Sequence, residues 1–209
     1  MSLQIAIPIF DGITALDAIG PYEVLSRVPG ARVHFLGLYE PGPKRTDNGM
    51  LALTADGALG DVPHPEVIVF PGGHGTRALM RDETVLAWVR AAHETSQWTT
   101  SVCTGALVLG AAGILNGLKA TTHWLLLDKL SELGATPVSR RVVEQGKVIT
   151  AAGVSSGIDM ALTLAAHLAG ADVAQAIQLG IEYDPRPPFD SGSTAKAPAA
   201  IVELARRRT

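Results

Sequence analysis

The sequence is short of several things at once. Among its 209 residues there is one cysteine, 5% are aromatic and 18% are charged, with a formal net charge of −3. One cysteine excludes an intramolecular disulfide and a cysteine-rich metal site. The small negative charge, with no block of basic residues, excludes an electrostatic footprint for nucleic acid or an anionic membrane surface. No apolar run reaches the ~18 residues of a membrane span. No two histidines stand three or four residues apart, so the helical spacing of a metal site is missing, and neither metal nor organic cofactor is expected. The segment Gly72-Gly73-His74-Gly75 lacks the spacing of a dinucleotide or phosphate-binding loop. The opening MSLQIAIPIF has no basic stretch leading into an apolar one with a small-residue cleavage site. It reads as a strand, and a reducing cytoplasm is the expected compartment.

What is present is alternation. Short apolar runs at Ile5–Phe10, Val33–Leu38, Val67–Phe70, Trp98–Val102 and Val148–Thr150 are separated by helical patterns, with Lys119–Thr122 a further strand candidate. Helices are expected at Thr84–Glu94, Thr104–Ala112, Ile158–Leu168 and Val173–Tyr183, and in a helix opening at Pro21. Pro41–Thr54 reads as a turn feeding a short hairpin strand. Strands alternating with helices predict a single-domain α/β sandwich of flavodoxin-like type, a mostly parallel sheet with helices on both faces. Residues 1–209 then form one domain, with 184–209 as a C-terminal arm ending in a short helix over Ala199–Arg207.

Sites in open α/β sheets form beyond the carboxyl ends of the strands. Cys103 stands where a strand runs straight into a helix, an elbow that holds a side chain outward on a strained backbone. The helix N-terminus behind it is expected to lower the thiol pKa and make a nucleophile; the competing reading is a buried structural cysteine. Gly72 and Gly73 would project N–H groups into the same crevice with that of Thr104, a cradle for developing negative charge, or else form a plain turn. Asp17, expected in the loop after the first strand, is either a cap for the helix opening at Pro21 or a carboxyl in a dry crevice. In the second case burial and a neighbouring thiolate would keep it protonated and able to donate. His123 at another strand end reads equally as a base partner or a hydrogen-bonded structural histidine.

The Pro71-Gly72-Gly73 turn, the Ser101-Val102-Cys103-Thr104-Gly105 elbow and Thr121-Thr122-His123-Trp124 resemble the class I glutamine-amidotransferase-like superfamily, in its PfpI-like branch. Leu16-Asp17 before Gly20-Pro21, the run Thr150–Leu164, and Gln178–Pro185 with Pro187-Pro188-Phe189 look like the isonitrile hydratases. The resemblance covers nearly the whole chain. It implies a lyase that hydrates R–NC to an N-substituted formamide without a cofactor. Cys103 would be the nucleophile, Asp17 the general acid and base, and Thr104 a hydrogen-bonding partner. Gly73 and Val154 would line the site, and the enzyme would be a homodimer. Ala151-Ala152 departs from the small glycines expected ahead of Val154. The alternative within the superfamily is a cysteine redox sensor or stress-protective protein (chaperone, glyoxalase or deglycase), the carbonyl chemistry leaning on His123. A glutaminase would need a late His-x-Glu pair, and an AraC-type regulator a following helix-turn-helix; neither is seen.

Overall fold

In the computed structural model, residues 2–208 are described. The chain runs β1 (Leu3–Ile9), α1 (Ala15–Leu25), β2 (Ala31–Gly37), β3 (Gly42–Arg45), β4 (Ala52–Ala55), β5 (Gly57–Ala58), β6 (Val67–Phe70), α2 (Thr76–Leu79), α3 (Glu83–Thr95) and β7 (Trp98–Val102). It continues through α4 (Gly105–Ala111), β8 (Lys119–Ala120), α5 (Lys129–Glu132), β9 (Thr136–Pro137), β10 (Val142–Gln145), β11 (Val148–Ala151), α6 (Ser156–Ala169), α7 (Ala171–Gly180) and α8 (Ala199–Arg208).

Seven strands form the main sheet in the order β10-β11-β7-β6-β1-β2-β5. Every neighbouring pair is parallel except β10–β11, an antiparallel edge that the sequence pattern does not suggest. Val142–Gln145 carries Glu144 and Gln145 and only one buried residue, Val143, so it has no apolar run to betray it. The hairpin expected over Pro41–Thr54 forms as β3 and β4. Lys119–Thr122 gives only the two-residue β8, paired with β9 outside the main sheet.

Burial follows from the strand period of two. Ile5, Ile7 and Ile9 enter the main core while Ala6, between them, packs with Leu36 and Leu59 on the other side. Each fully buried Ile or Leu contributes ~2 kcal/mol by removal from water. The central β7 is more polar than its neighbours: Thr99, Thr100 and Ser101 are fully buried. The hydroxyl of Thr100 donates to the Ile68 carbonyl at 2.9 Å, and that of Thr99 meets His93 Nδ1 at 2.8 Å. Two of three buried hydroxyls are thereby satisfied. α1 packs on α6 and α6 on α7, while α4 packs against α2, α3 and α5, so the sheet is covered by two helical layers.

The start of α1 differs from expectation. The helix opens at Ala15, so Asp17 lies in its first turn, and Pro21 sits inside the helix. A proline there has no N–H to give the carbonyl four residues back, which is that of Asp17. Thr14, at the cap position, makes no side-chain cap; its hydroxyl instead donates to Asp47 at 2.6 Å. After Tyr183 the chain is largely exposed and without regular structure until α8, which returns to lay Arg206 over the Trp124 ring at 5.1 Å.

Candidate active site

β7 ends at Val102 and α4 begins at Gly105, so Cys103 and Thr104 make the whole turn between them. Cys103 has φ of 55°, left-handed backbone for a residue with a Cβ. Such a conformation costs about 1–2 kcal/mol and persists only where neighbours hold it. Here its N–H donates to the Ala151 carbonyl at 3.0 Å, and its carbonyl accepts from the Thr122 hydroxyl at 2.7 Å. The side chain is 5% exposed.

Asp17 is fully buried beneath this elbow. Its Oδ2 accepts from the Gly72 N–H at 2.9 Å, while Oδ1 has no hydrogen-bond partner among the described residues. Burial raises the carboxyl to about pKa 7 from 3.8, against opposing hydrogen bonds from Gly72 and the Cys103 thiol. Burial also pushes the Cys103 thiol up, and the charge of Asp17 adds to it; the N–H and hydroxyl of Thr104 work the other way but do not prevail. The lowered thiol pKa expected from the helix end is therefore corrected. A helix of seven residues supplies too little to offset desolvation beside a carboxyl. The two groups titrate as a pair. Once the pair holds a single proton, thiol with carboxylate and thiolate with carboxylic acid are its two arrangements.

Gly72 and Gly73 make room for this pair. A Cβ on Gly72 would come within 2.5 Å of the Thr104 nitrogen and 2.9 Å of Asp17 Oδ2, so only glycine lets the turn approach so closely. Gly73, at φ of +129°, is likewise confined to glycine. The open cradle of N–H groups expected here is not formed. The Gly72 N–H is taken by Asp17, and the Gly73 N–H donates to Thr104 Oγ1 at 2.9 Å. The Thr76 hydroxyl meets Thr104 Oγ1 at 3.0 Å and the Gly73 carbonyl at 2.7 Å, closing the cluster.

Above the elbow lies a cavity of about 370 Å³. Cys103 and Thr104 lie at its buried end, Leu125, Leu126, Val154 and His123 form its side wall, and exposed Asp47, His74 and Arg77 stand at its mouth. The Gly153 backbone is wedged between His123 and the sulfur: a Cβ there would lie 3.1 Å from His123 Cδ2 and 3.2 Å from Cys103 Sγ. Half-burial lowers the His123 pKa, favouring neutral imidazole. The ring tilts against Trp124, centroids 5.8 Å apart, and no hydrogen bond to it is found among the described residues. The hydrogen-bonded structural role is thus not met, and nothing orients the ring as a base.

The fold brings Cys103, Asp17, Thr104, Gly72 and Gly73 together, with Val154 and His123 in the wall. Sequence reasoning does not single out Thr122, which pins the elbow carbonyl, nor Asp47, His74 and Arg77 at the mouth. Arg77 follows His74 by three residues, a spacing that puts both on one side of the turn into α2, but Asp47 reaches the site only because the β3–β4 hairpin folds back. Thr46, beside it, bridges to Ile13, and Ile13 bridges to Gly73.

Comparison with known proteins finds relatives of the whole chain. The chain is 47% identical over 208 residues to the isonitrile hydratase of Pseudomonas putida, covering all of this chain and 90% of that one. A crystal structure of a ThiJ/PfpI family protein from Pseudomonas syringae superposes with a TM-score of 0.93 at 38% identity, covering 99% of this chain and 87% of the other. Drosophila melanogaster DJ-1beta, at 24% identity and a TM-score of 0.80 over 87% of this chain and 98% of that one, shares the fold. The model of the DJ-1/PfpI family matches residues 3–167. On that match, which spans the sheet, the elbow and most of α6, the chain belongs to the DJ-1/PfpI family.

Proposed function

We propose that the chain is a cofactor-independent isonitrile hydratase, a hydro-lyase turning R–NC and water into R–NH–CHO, with Cys103 as nucleophile and Asp17 as general acid and base. The observation that carries this reading is the buried Asp17–Cys103 pair at the closed end of an apolar-walled cavity. With one proton between them, the pair supplies what an isonitrile needs: a soft nucleophile for its terminal carbon and an acid to protonate that same carbon. The Sγ–C bond forms, the proton of Asp17 goes to the carbon, and a thioimidate R–N=CH–S results. Asp17, now a carboxylate, takes a proton from water as its oxygen adds to the carbon, and passes that proton to nitrogen. Collapse to the formamide breaks the C–S bond, and the hydroxyl proton returns to the pair. Thr104 supports the thiolate through its N–H and hydroxyl.

The 47% identity to the Pseudomonas putida enzyme over the whole chain supports the same activity here. The enzyme works as a homodimer in a reducing cytoplasm; exposed Leu16 and Tyr22 of α1 and Met50 and Leu51 of the hairpin offer apolar surface for that contact. The test is formation of N-(4-nitrophenyl)formamide from 4-nitrophenyl isonitrile by wild type and Cys103→Ala in parallel. Turnover by the first and none by a folded second supports the reading. Near-normal turnover by Cys103→Ala, or none by folded, reduced wild type, refutes it.

A further inference from the structure

The mouth of the cavity carries polar groups that the hydration step does not use. Arg77 and His74 come from the turn into α2, and both line the same cavity as Cys103. The Arg77 guanidinium meets His74 Nδ1 at 2.7 Å. Arginine can only donate, so His74 accepts at Nδ1 and its proton is on Nε2, where it too is a donor. The contact uses one of five guanidinium N–H groups, and no carboxylate lies within ion-pair distance of Arg77 among the described residues. One side of the mouth therefore presents unused donors and a fixed positive charge. The other polar group there, Asp47, accepts from the Thr14 hydroxyl at 2.6 Å, so part of its acceptor capacity is already engaged. Between mouth and thiol the wall is Leu125, Leu126 and Val154, with the half-buried His123 ring beside them.

We propose that this enzyme selects isonitriles whose R group carries a carboxylate, held at the cavity mouth by Arg77 with His74 beside it. The inference rests on the hydratase reading for its reaction and on the mouth residues for its selectivity. A planar, forked guanidinium matches a carboxylate in a way no neutral R group exploits. The cavity, about 370 Å³, suits a small isocyano acid, its isocyano carbon at Cys103 and its carboxylate at the rim. Asp47 disfavours the acid by charge, so Arg77 and Asp47 act in opposite senses on the same preference.

Two measurements on the full chain separate this inference from the reading beneath it. The first compares kcat/KM for isocyanoacetate with that for its ethyl ester in wild type, Arg77→Met, Arg77→Lys and Asp47→Asn. An acid-to-ester ratio that falls about tenfold in Arg77→Met, is partly restored in Arg77→Lys and rises in Asp47→Asn is expected for one charge-assisted carboxylate contact. A ratio that does not move in Arg77→Met overturns the inference while leaving the hydratase intact. The second is calorimetric binding of the product N-formylglycine and of its amide to Cys103→Ala, with and without Arg77→Met. Preference for the acid that disappears with Arg77 supports the anchor independently of turnover. Equal binding of acid and amide overturns it. Failure of wild type to hydrate either substrate marks a failure of the reaction assignment instead.

Discussion

The closed end of the cavity and its mouth are built on different principles. At the closed end Asp17 and Cys103 are buried, held by the Gly72 N–H and the Thr122 hydroxyl, and desolvation is the largest influence on their protonation. At the mouth Asp47, His74 and Arg77 are exposed, so water screens them and each contact is weak. Chemistry requires the first environment, because a proton can be shared between thiol and carboxyl only where neither is solvated as an ion. Selection among R groups requires only the second, and the difference predicts that substitutions at the two ends differ by orders of magnitude.

The largest expected effect is Asp17→Asn. It keeps the shape but removes the proton carrier, and general acid–base catalysis is worth about 10²–10⁴-fold, so kcat/KM should fall by that factor in the hydration assay. A fall below tenfold would return Asp17 to a purely structural place. Next is Gly72→Ala, whose methyl would clash with Thr104 and Asp17. Overpacking of this kind costs ~1–3 kcal/mol, and at this chain length each kcal/mol lowers Tm by about 2–4 °C, readable by thermal unfolding. Thr122→Val removes the shorter of two hydrogen bonds to the Cys103 carbonyl, leaving only the Ala106 N–H at 3.4 Å, and a lost hydrogen bond of this kind costs about 1 kcal/mol. A lower urea midpoint is expected, with loss of activity greater than the destabilisation explains, since the elbow's left-handed backbone loses its tether.

The pH dependence sharpens the same contrast. Folded Asp17 holds its proton to about pH 7, whereas an ordinary carboxyl releases it near 3.8. Between those values the folded chain binds more protons than the unfolded one, so the group's contribution to stability is full below pH 3.8 and is lost as pH rises through about 7. Urea midpoints against pH should show that decline in wild type and lose it in Asp17→Asn. Activity runs the opposite way: the reactive one-proton pair is populated as pH rises through about 7, giving kcat/KM an acidic limb there. The smallest expected effect is His123→Ala. With no group to orient its ring, its removal should change kcat/KM by less than about threefold, well short of the ~10²–10⁴ of a general base.

Much of the closed end is legible in the sequence, because its residues sit at strand ends where a local motif fixes the geometry. A strand passing directly into a helix at Cys103 forces the elbow, and two glycines after β6 mark a turn that must pass close to something. The direction of the thiol pKa is not legible. It depends on how completely the site is desolvated and on which carboxyl lies beneath it, and both are tertiary quantities. The start of α1 differs because Pro21 suggests a first turn, whereas tertiary packing against α6 carries the helix through the proline. The mouth is invisible for a related reason. Asp47 and Arg77 lie 30 residues apart in sequence and share a cavity only through the hairpin and the bridges at Ile13. β10 escapes the pattern because an edge strand with one wet face needs no apolar run.

The central claim is that one buried pair performs both halves of the reaction through a covalent bond to Cys103. The most direct test is rapid-quench intact-mass and peptide analysis of wild type turning over an isonitrile. The account predicts a transient adduct on the Cys103 peptide with the mass of the isonitrile added, formed and lost at rates compatible with turnover. Formamide accumulating at full rate with no such adduct on Cys103 would contradict it.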